Sequence, residues 1–399
     1  TKDFVTYENR GPALFPDSDL DSSGAYSGSA FMHDGKIHYF YTGNVKHFDR
    51  DDYDYVLTGR DQNQIHMVTE NPDKLGEKHI AVGPVDYPDD ISTHVRDPKI
   101  LEHDGIYYMV LGARTKDDRG CVLVYTSHDL ECWKYATRIE LGEKFGFMWE
   151  CPDLFELDGE LILVCCPQGV PADGWRYQNP HQCVWFRIEA DWEAPSFKIA
   201  GQGMPPMVDA GLDFYAPQSF ADADGRRIMI GWAGCPDATA QNPTVERGWQ
   251  CALTVPRVLN MRDGKLCQWP AREVEQLRKE RVSVTAGETV GSPGRLFDAV
   301  VSCRGTKSIE LEVREGVVVC FANGMLTLDM GDEGYGRDKR SVELDELYCL
   351  RVLSDATMLE VFVNDGEVAL TSRTYSSAAP AMQLRAEGDA SMEFYRLAR

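Results

Sequence analysis

The stretch at residues 104–110, DGIYYMV, shows the pattern from which the architecture of this 399-residue chain can be inferred. An Asp-Gly pair before a β-rich apolar run is a strong hairpin signal, because glycine accepts the positive φ that a primed turn requires. The pattern recurs at residues 34–41, 158–164 and 224–230, so that the four turns lie 54 to 70 residues apart. This spacing is close to one propeller blade plus an insertion. The sequence therefore predicts a repeated four-stranded sheet.

After residue 270 the repeated hairpin pattern of the sequence ends. Residues 272–282, REVEQLRKERV, are the best helical stretch in the chain and predict a connector. Short strands are predicted beyond it, with a tight hairpin at residues 364–366, and evenly spaced strands of this kind indicate a β-sandwich. We therefore expect an all-β chain with three parts. They are a propeller domain at residues 1–270, a helical linker at 271–285 and a sandwich domain at 286–399.

Composition narrows the classes of partner. The formal net charge of -23 repels phosphate backbones and anionic lipid, which argues against nucleic acid and membrane as partners. A neutral sugar would feel little of this field. The twelve cysteines have neither metal-like nor framework-like spacing, so we interpret them as reduced core residues of a cytoplasmic chain. No motif indicates a cofactor or a metal site.

Two acidic segments are candidates for catalysis. Asp97 lies between Arg96 and a proline, and because proline disfavours the helical region for the preceding residue, we expect Asp97 to be extended beside a fixed cation. The alternative is a loop salt bridge. Glu150 lies within FMWECPDLF, where apolar neighbours reduce hydration and favour the protonated state that a general acid needs. The alternative is an edge-strand glutamate that reaches solvent.

A third acidic segment surrounds Asp213 in GLDFYAPQ, residues 211–218. Aromatic side chains beside a carboxylate and an amide suit a sugar, since they offer ring contact together with hydroxyl acceptors. A polar turn before a core strand explains this segment equally well.

Taken together, these segments resemble glycoside hydrolase family 32, which comprises invertases, sucrose-6-phosphate hydrolases and fructan hydrolases. The resemblance spans nearly the whole chain and rests on six segments that occur in the family's order. They are YSGSA at 26–30, RDP at 96–98, WECPD at 149–153, GLDFYAPQ at 211–218, GW at 231–232 and LEVFVNDGE at 359–367.

The resemblance implies a five-bladed propeller followed by a β-sandwich. It also implies a retaining hydrolase that releases terminal fructose from sucrose, sucrose 6-phosphate or short fructo-oligosaccharides, without a cofactor. Glu150 would be the acid/base, Asp97 the transition-state stabiliser and Cys151 a group that tunes the acidity of Glu150. The fructose-binding subsite would be lined by Tyr26, Ser27, Arg96, Asp213 and Trp232.

One departure from the family concerns the nucleophile, which is an Asp in a Trp-Met-Asn-Asp-Pro-Asn-Gly segment of the first blade. Residues 1–399 contain no such stretch, so by the resemblance the first blade is incomplete here. We expect the chain to be part of a longer enzyme, because losing those strands would open the propeller. The alternative is a truncated chain that binds sugar without catalysis.

Two further alternatives concern the reaction. A fructosyltransferase of the same family would pass the fructosyl group to a second sugar, and an inverting propeller glycosidase would place its carboxylates roughly 6.5 to 9.5 Å apart. His47, Arg50, Arg176 and His181 are candidates for contacting a phosphate or a second sugar.

Overall fold

The computed structural model of the chain describes residues 1–201 and 203–398, without the side chain of Glu333. These residues are almost entirely in strands and connections, which confirms the all-β prediction. None of the described helices is long and apolar enough to cross a bilayer. The described helices are short 3-10 turns at Pro84–Asp86, Pro243–Arg247, Arg272–Leu277, Asp332–Gly334 and Asn364–Gly366.

Four sheets have the form of propeller blades, each an antiparallel meander of four strands in chain order. The first contains β1 (Ala25–His33), β2 (Lys36–Lys46), β3 (Arg60–Thr69) and β4 (His79–Val82). The second contains β5 (Ile91–His103), β6 (Ile106–Thr115), β7 (Gly120–Ser127) and β8 (Lys134–Ile139). The third contains β9 (Met148–Leu157), β10 (Glu160–Gln168), β11 (Val184–Asp191) and β12 (Ser196–Ile199). The fourth contains β13 (Tyr215–Ala221), β14 (Arg227–Trp232), β15 (Arg257–Arg262) and β16 (Lys265–Pro270).

Each predicted Asp-Gly turn joins the first two strands of one of these sheets. In the first three turns both residues have positive φ, as with 49° at Asp104 and 76° at Gly105, which is the geometry of a two-residue primed turn. In the fourth turn only Gly225 has positive φ, and the loop is longer, closed by a hydrogen bond from Asp222 N to the Arg226 carbonyl at 2.9 Å. The repeat predicted from the sequence is confirmed.

The C-terminal strands form a β-sandwich. A six-stranded sheet has the order β17-β29-β19-β24-β25-β26, a five-stranded sheet has the order β23-β22-β21-β20-β28, and β18 pairs with β27. One apolar core contains residues of both large sheets, among them Phe297, Val361, Leu311 and Val319. The strand bounds are β17 Arg278–Thr285, β18 Thr289–Gly291, β19 Phe297–Ser302, β20 Ser308–Arg314, β21 Val317–Ala322, β22 Met325–Asp329, β23 Lys339–Glu343, β24 Cys349–Ser354, β25 Met358–Val363, β26 Val368–Arg373, β27 Ala381–Gln383, β28 Arg385–Glu387 and β29 Ser391–Leu397.

The linker at 271–285 is helical only in its first half. Helical geometry stops at Leu277, and Arg278–Thr285 is strand β17, which pairs antiparallel with β29. The prediction of a helix to residue 282 was therefore wrong. Good helix-forming side chains did not decide the outcome, because pairing along a sheet edge overrides local propensity.

The chain divides into two compact units. The unit called here the three-sheet unit comprises Asn9–Val170 and Val184–Pro206 and holds the first three blade-like sheets. The sandwich unit comprises Thr1–Glu8, Pro171–Cys183 and Met207–Arg399, and it holds the fourth such sheet together with the sandwich. Residue 270, the predicted domain boundary, lies inside the sandwich unit, and the predicted division into domains stays a prediction.

Candidate active site

The first strand of each blade-like sheet carries a β-bulge at an equivalent place. In every case the register of the strand pair shows two residues of the first strand opposite one residue of the second. Such bulges bend the strand and change the direction in which side chains point. The bulged pairs are Tyr26-Ser27, Asp97-Pro98, Cys151-Pro152 and Ala216-Pro217. Tyr26, Ser27, Arg96, Asp97, Glu150 and Cys151 thus lie at or beside the bulges.

Asp97 occupies the first position of its bulge and has a φ of 64°. The expectation that the following proline keeps Asp97 extended was therefore wrong. The positive φ is compatible with aspartate, which adopts left-handed geometry more readily than most residues. The backbone N–H of Asp97 donates to the Thr42 Oγ1 at 3.0 Å, so a neighbouring sheet stabilises this conformation.

The Asp97 carboxylate is buried and is bound by the next sheet. Its Oδ2 accepts a hydrogen bond from the backbone N–H of Cys151 at 2.9 Å, and the Cys151 thiol lies 3.5 Å from the same oxygen. Burial raises the pKa of Asp97 to about 6, and the charge of Glu150 adds to this while Arg96 opposes it. Burial, with the Asp97 charge, also raises the pKa of Cys151 well above its ordinary value, so Cys151 remains a thiol.

Glu150 is held by donors on both carboxylate oxygens. Oε1 accepts from the Nε and Nη2 of Arg96 at 2.9 and 2.6 Å, and Oε2 accepts from the Nε2 of Gln168 at 2.7 Å. The Glu150 side chain is 16% exposed, so the carboxylate is largely buried yet reachable. Since Arg96 precedes Asp97 in β5, this contact brings both acids and the cation into one cluster of charged side chains within the three-sheet unit.

Buried polar side chains position Arg96. Its Nη1 lies 3.4 Å from Gln62 Oε1 and 3.2 Å from His94 Nδ1. Burial, together with the charges of Arg96 and Arg60, lowers the pKa of His94 to about 3, so its ring is neutral. Because a guanidinium only donates, Nδ1 must accept, and Nε2 then donates to the Tyr55 carbonyl at 3.1 Å.

Sequence reasoning missed Gln62, His94 and Gln168. The available signal was the run of amides in RDQNQ at residues 60–64, where consecutive polar residues occupy a strand. Gln62 and Gln64 are completely buried on alternate positions of β3. Buried amides in a strand require partners, and a polar site next to them supplies such partners.

The remaining predicted residues lie in different surroundings. Tyr26 and Ser27 are on the first bulge of the three-sheet unit, the tyrosine half-buried and the serine exposed, whereas Trp232 belongs to the sandwich unit. Asp213, also in the sandwich unit, is buried and accepts from both Nε and Nη2 of Arg337 at 2.7 and 2.9 Å. These contacts favour a structural role for Asp213, and its contact with substrate stays a prediction.

In the part of the chain that the structure describes, no cluster of three or more His, Cys, Asp or Glu side chains has an arrangement that could hold a metal ion. All twelve cysteines are free thiols, and eight of them are buried, including Cys151. The charged cluster around Glu150, in which Arg96 joins two carboxylate-bearing segments, is the candidate active site.

Comparison with protein families finds two profiles of one family that together match nearly the whole chain. The sequence profile described as the glycosyl hydrolases family 32 N-terminal domain matches residues 1–270, and the profile described as the family 32 C-terminal region matches residues 273–397.

Comparison with curated proteins finds similar sucrose-6-phosphate hydrolases. The chain is 35% identical over 394 residues to the sucrose-6-phosphate hydrolase of Salmonella typhimurium, covering 94% of this chain and 78% of that protein. It is 32% identical over 398 residues to the sucrose-6-phosphate hydrolase of Bacillus subtilis, covering 94% of this chain and 79% of that protein.

Comparison with solved structures finds the same architecture. The sucrose-6-phosphate hydrolase of Lactobacillus gasseri superposes with a TM-score of 0.87 at 27% identity, covering 100% of this chain and 83% of that chain. A mutant β-fructofuranosidase of Bombyx mori, solved in complex with sucrose, superposes with a TM-score of 0.79 at 26% identity, covering 96% of this chain and 80% of that chain.

Proposed function

Because the chain belongs to glycoside hydrolase family 32, we propose that it is a β-fructofuranosidase-type hydrolase whose preferred substrate is sucrose 6-phosphate. We further propose that Glu150 and Asp97 are its site residues. Release of terminal fructose from such fructosides is the activity of this kind of enzyme. The observation that carries the assignment of residues is the buried cluster in which Arg96 joins Glu150 to the segment bearing Asp97. The preference for the phosphorylated substrate is supported by the relatives named above.

Retaining hydrolysis proceeds by double displacement and needs an acid/base and a nucleophilic carboxylate roughly 5 to 5.5 Å apart. We assign the acid/base to Glu150, which would protonate the leaving glycosidic oxygen and then activate the water that releases fructose. Arg96 and Gln168 hold one carboxylate oxygen each, so they fix the direction of proton transfer. The family resemblance places the nucleophile in a segment that residues 1–399 do not contain.

Asp97 is assigned to transition-state stabilisation. The bond from the Cys151 N–H orients its carboxylate through Oδ2, so that Oδ1 is the atom we assign to the fructose hydroxyls. Hydrogen bonds from sugar hydroxyls to a carboxylate strengthen as the ring gains oxocarbenium character. Asp97 would therefore contribute more to turnover than to ground-state binding.

The experiment that tests this function is a hydrolysis panel on the full-length protein and its Glu150→Gln variant. Sucrose, sucrose 6-phosphate and inulin-type oligomers are supplied, and fructose and glucose are measured separately. We expect kcat to fall roughly 10²- to 10⁴-fold in Glu150→Gln, because the proton donor is lost. Equal release of the two hexoses from sucrose indicates hydrolysis, whereas a deficit of fructose indicates transfer to a second sugar.

A matched control lies on the same strand. Glu156 is exposed and pairs with His103, so Glu156→Gln should retain the parental kcat. Near-normal hydrolysis by Glu150→Gln would remove Glu150 from its assigned role, and absence of fructoside hydrolysis by the parent would refute the function itself.

We also propose that the protein works in the cytoplasm. Support comes from the cysteines, which are all free and mostly buried, as expected of thiols kept reduced. Cell fractionation with an antibody to the protein tests this location, and recovery in a secreted fraction would contradict it.

A further inference from the structure

Arg60 is a buried cation without an anionic partner among the residues that the structure describes. The residue is only 5% exposed, and its Nε has no hydrogen-bond partner. Within residues 1–201 and 203–398, the guanidinium forms no hydrogen bond or ion pair. Its described contact is with the ring of Tyr55, whose centroid lies 4.2 Å from the guanidinium carbon. Burying a charge without a counter-charge is costly, so this position is suited to an anion supplied by a ligand.

A pocket of about 210 Å³ adjoins Arg60 in the three-sheet unit. Gln62 and Lys116 also line it, and the Lys116 ammonium reaches the Asp89 carbonyl at 2.6 Å. Among the described lining residues, Asp89 is the only acid, and it is exposed. The pocket is too small for a disaccharide but has room for one compact anionic group.

The orientation of Gln62 adds a second donor without a partner. Its Oε1 accepts from the Val95 N–H at 2.9 Å and faces Arg96 Nη1 at 3.4 Å. Because both neighbours are donors, the oxygen must occupy that side of the amide. The Nε2 of Gln62 is completely buried and has no hydrogen-bond partner in the described residues. Two buried N–H donors, on Arg60 and Gln62, are therefore unsatisfied at one pocket.

The pocket is connected to the candidate active site through this same glutamine. Gln62 lines the pocket and contacts Arg96, which in turn binds Glu150. An anionic group in the pocket would therefore sit beside the cluster that receives the glycosidic oxygen. Sucrose 6-phosphate carries its phosphate on the glucose ring, which is the leaving group of the reaction.

We infer that the pocket formed by Arg60, Gln62 and Lys116 binds the phosphate group of a phosphorylated fructoside, and this inference rests on the proposed function. The Arg60 guanidinium supplies charge and a planar donor set, as arginine commonly does for phosphate. The Gln62 amide fixes the position of the phosphate group relative to Arg96. Unphosphorylated sucrose leaves these donors unused, so the pocket determines specificity between the two sugars.

The test compares kinetics of the full-length parent with those of Arg60→Gln and Arg119→Gln on sucrose 6-phosphate and on sucrose. Arg60→Gln should raise KM for sucrose 6-phosphate at least tenfold, and its loss of kcat/KM on that substrate should exceed its loss on sucrose at least tenfold. Arg119 donates to the carbonyls of Leu141 and Gly142 and does not line the pocket, so Arg119→Gln is the matched loss of one charge. Equal losses on both substrates, or the same selective loss in Arg119→Gln, would overturn the inference.

A measurement on the parent alone covers the case in which Arg60→Gln does not fold. Inorganic phosphate should inhibit hydrolysis of sucrose 6-phosphate competitively and leave hydrolysis of sucrose little changed. Inhibition of both substrates alike would mean a regulatory anion site, and no inhibition of either would mean no phosphate site, so both outcomes contradict the inference.

Calorimetry separates this inference from the proposed function. If the protein hydrolyses neither fructoside, the proposed function fails, yet tighter binding of sucrose 6-phosphate than of sucrose still supports the pocket. Equal affinity for the two sugars would refute the pocket whatever the activity.

Discussion

Asp97 is an aspartate buried next to a second carboxylate, in a backbone conformation that few side chains adopt. Its pKa is raised to about 6, mainly by burial, whereas an aspartate in the unfolded chain titrates near 3.8. Because its pKa is higher in the folded state, Asp97 binds a proton more readily there than in the unfolded chain. Its contribution to stability therefore falls as the pH rises from about 4 to about 6. Above that range the folded protein carries a buried charge that opposes folding.

The first prediction concerns the stability and the turnover of the Asp97→Asn variant. The amide keeps an acceptor for the Cys151 N–H but carries no charge, so the variant should be more stable than the parent at pH 8, by up to about 3 kcal/mol. This gain should shrink towards zero as the pH falls to about 4. Urea unfolding at pH 8, 6 and 4.5 measures both effects. Turnover should fall strongly at the same time, since we propose that the charge at this position stabilises the transition state.

Asp104→Asn is the matched control, because Asp104 also has positive φ but its side chain is 91% exposed. It should leave both stability and turnover close to those of the parent. A parental or lower stability of Asp97→Asn at pH 8 would show that the buried charge is fully compensated in the fold.

Candidate site residues could be selected from the sequence where a short motif contains them, and their roles stay predictions. Arg96, Asp97, Glu150 and Cys151 lie in two motifs, and the structure brings those motifs together. The contact of Gln168 with Glu150 crosses between strands, and no local pattern encodes it. For the same reason the sequence favoured His47, Arg50, Arg176 and His181 for a phosphate and did not indicate Arg60, whose buried Nε has no hydrogen-bond partner among the described residues.

At the scale of strands, the approach of one sheet to the next depends on a glycine. Gly112 on β6 pairs with Arg96 on β5, and a Cβ added to it would lie 2.3 Å from the Trp149 carbonyl oxygen and 3.2 Å from the Glu150 Cα. Real Cβ atoms do not approach a backbone oxygen so closely. The absent side chain therefore lets β9, which bears Glu150, come close to β6.

The second prediction concerns Gly112→Ala. The added methyl should push the Glu150 backbone away from Arg96. We expect this to lower kcat about tenfold or more, since Glu150 is the proposed acid/base and small displacements of such a group are costly. Overpacking should also lower the free energy of unfolding by about 1 to 3 kcal/mol. Gly142→Ala is the control, because nothing lies within 4 Å of its added Cβ. Parental kinetics in Gly112→Ala would show that β9 tolerates the displacement.

Elements were predictable where turn chemistry and alternation act locally. The Asp-Gly hairpins were correctly placed, because glycine at positive φ determines structure over a few positions. The stretch at 278–285 was not, because its pairing with β29 depends on residues more than a hundred positions away. The bulges were missed as well, since they arise from register between strands.

At the scale of the whole chain, the sandwich unit contains a buried ionic cluster that holds two of its sheets together. Arg257 on β15 is completely buried and donates to Asp209 at 3.0 Å, to Glu360 on β25 at 2.6 Å and to Thr371 on β26 at 2.6 Å. Burial raises the pKa of Glu360, and Arg257 opposes this shift. The cluster joins the fourth blade-like sheet to the six-stranded sheet of the sandwich, which explains why they form one unit.

The third prediction is that Arg257→Leu destabilises the sandwich unit by about 3 to 5 kcal/mol, because Asp209 and Glu360 would remain buried without a counter-charge. Arg262→Leu is the matched control, because Arg262 lies on the same strand and forms an ion pair with Asp365. Both of these side chains are exposed, so the loss of Arg262 should lower the free energy of unfolding by at most about 1 kcal/mol. Urea unfolding measures both values, and limited proteolysis shows which unit opens first. In Arg257→Leu the first cuts should fall in the sandwich unit. A loss as small as that of Arg262→Leu, or first cuts in the three-sheet unit, would mean that apolar packing alone joins the fourth sheet to the sandwich.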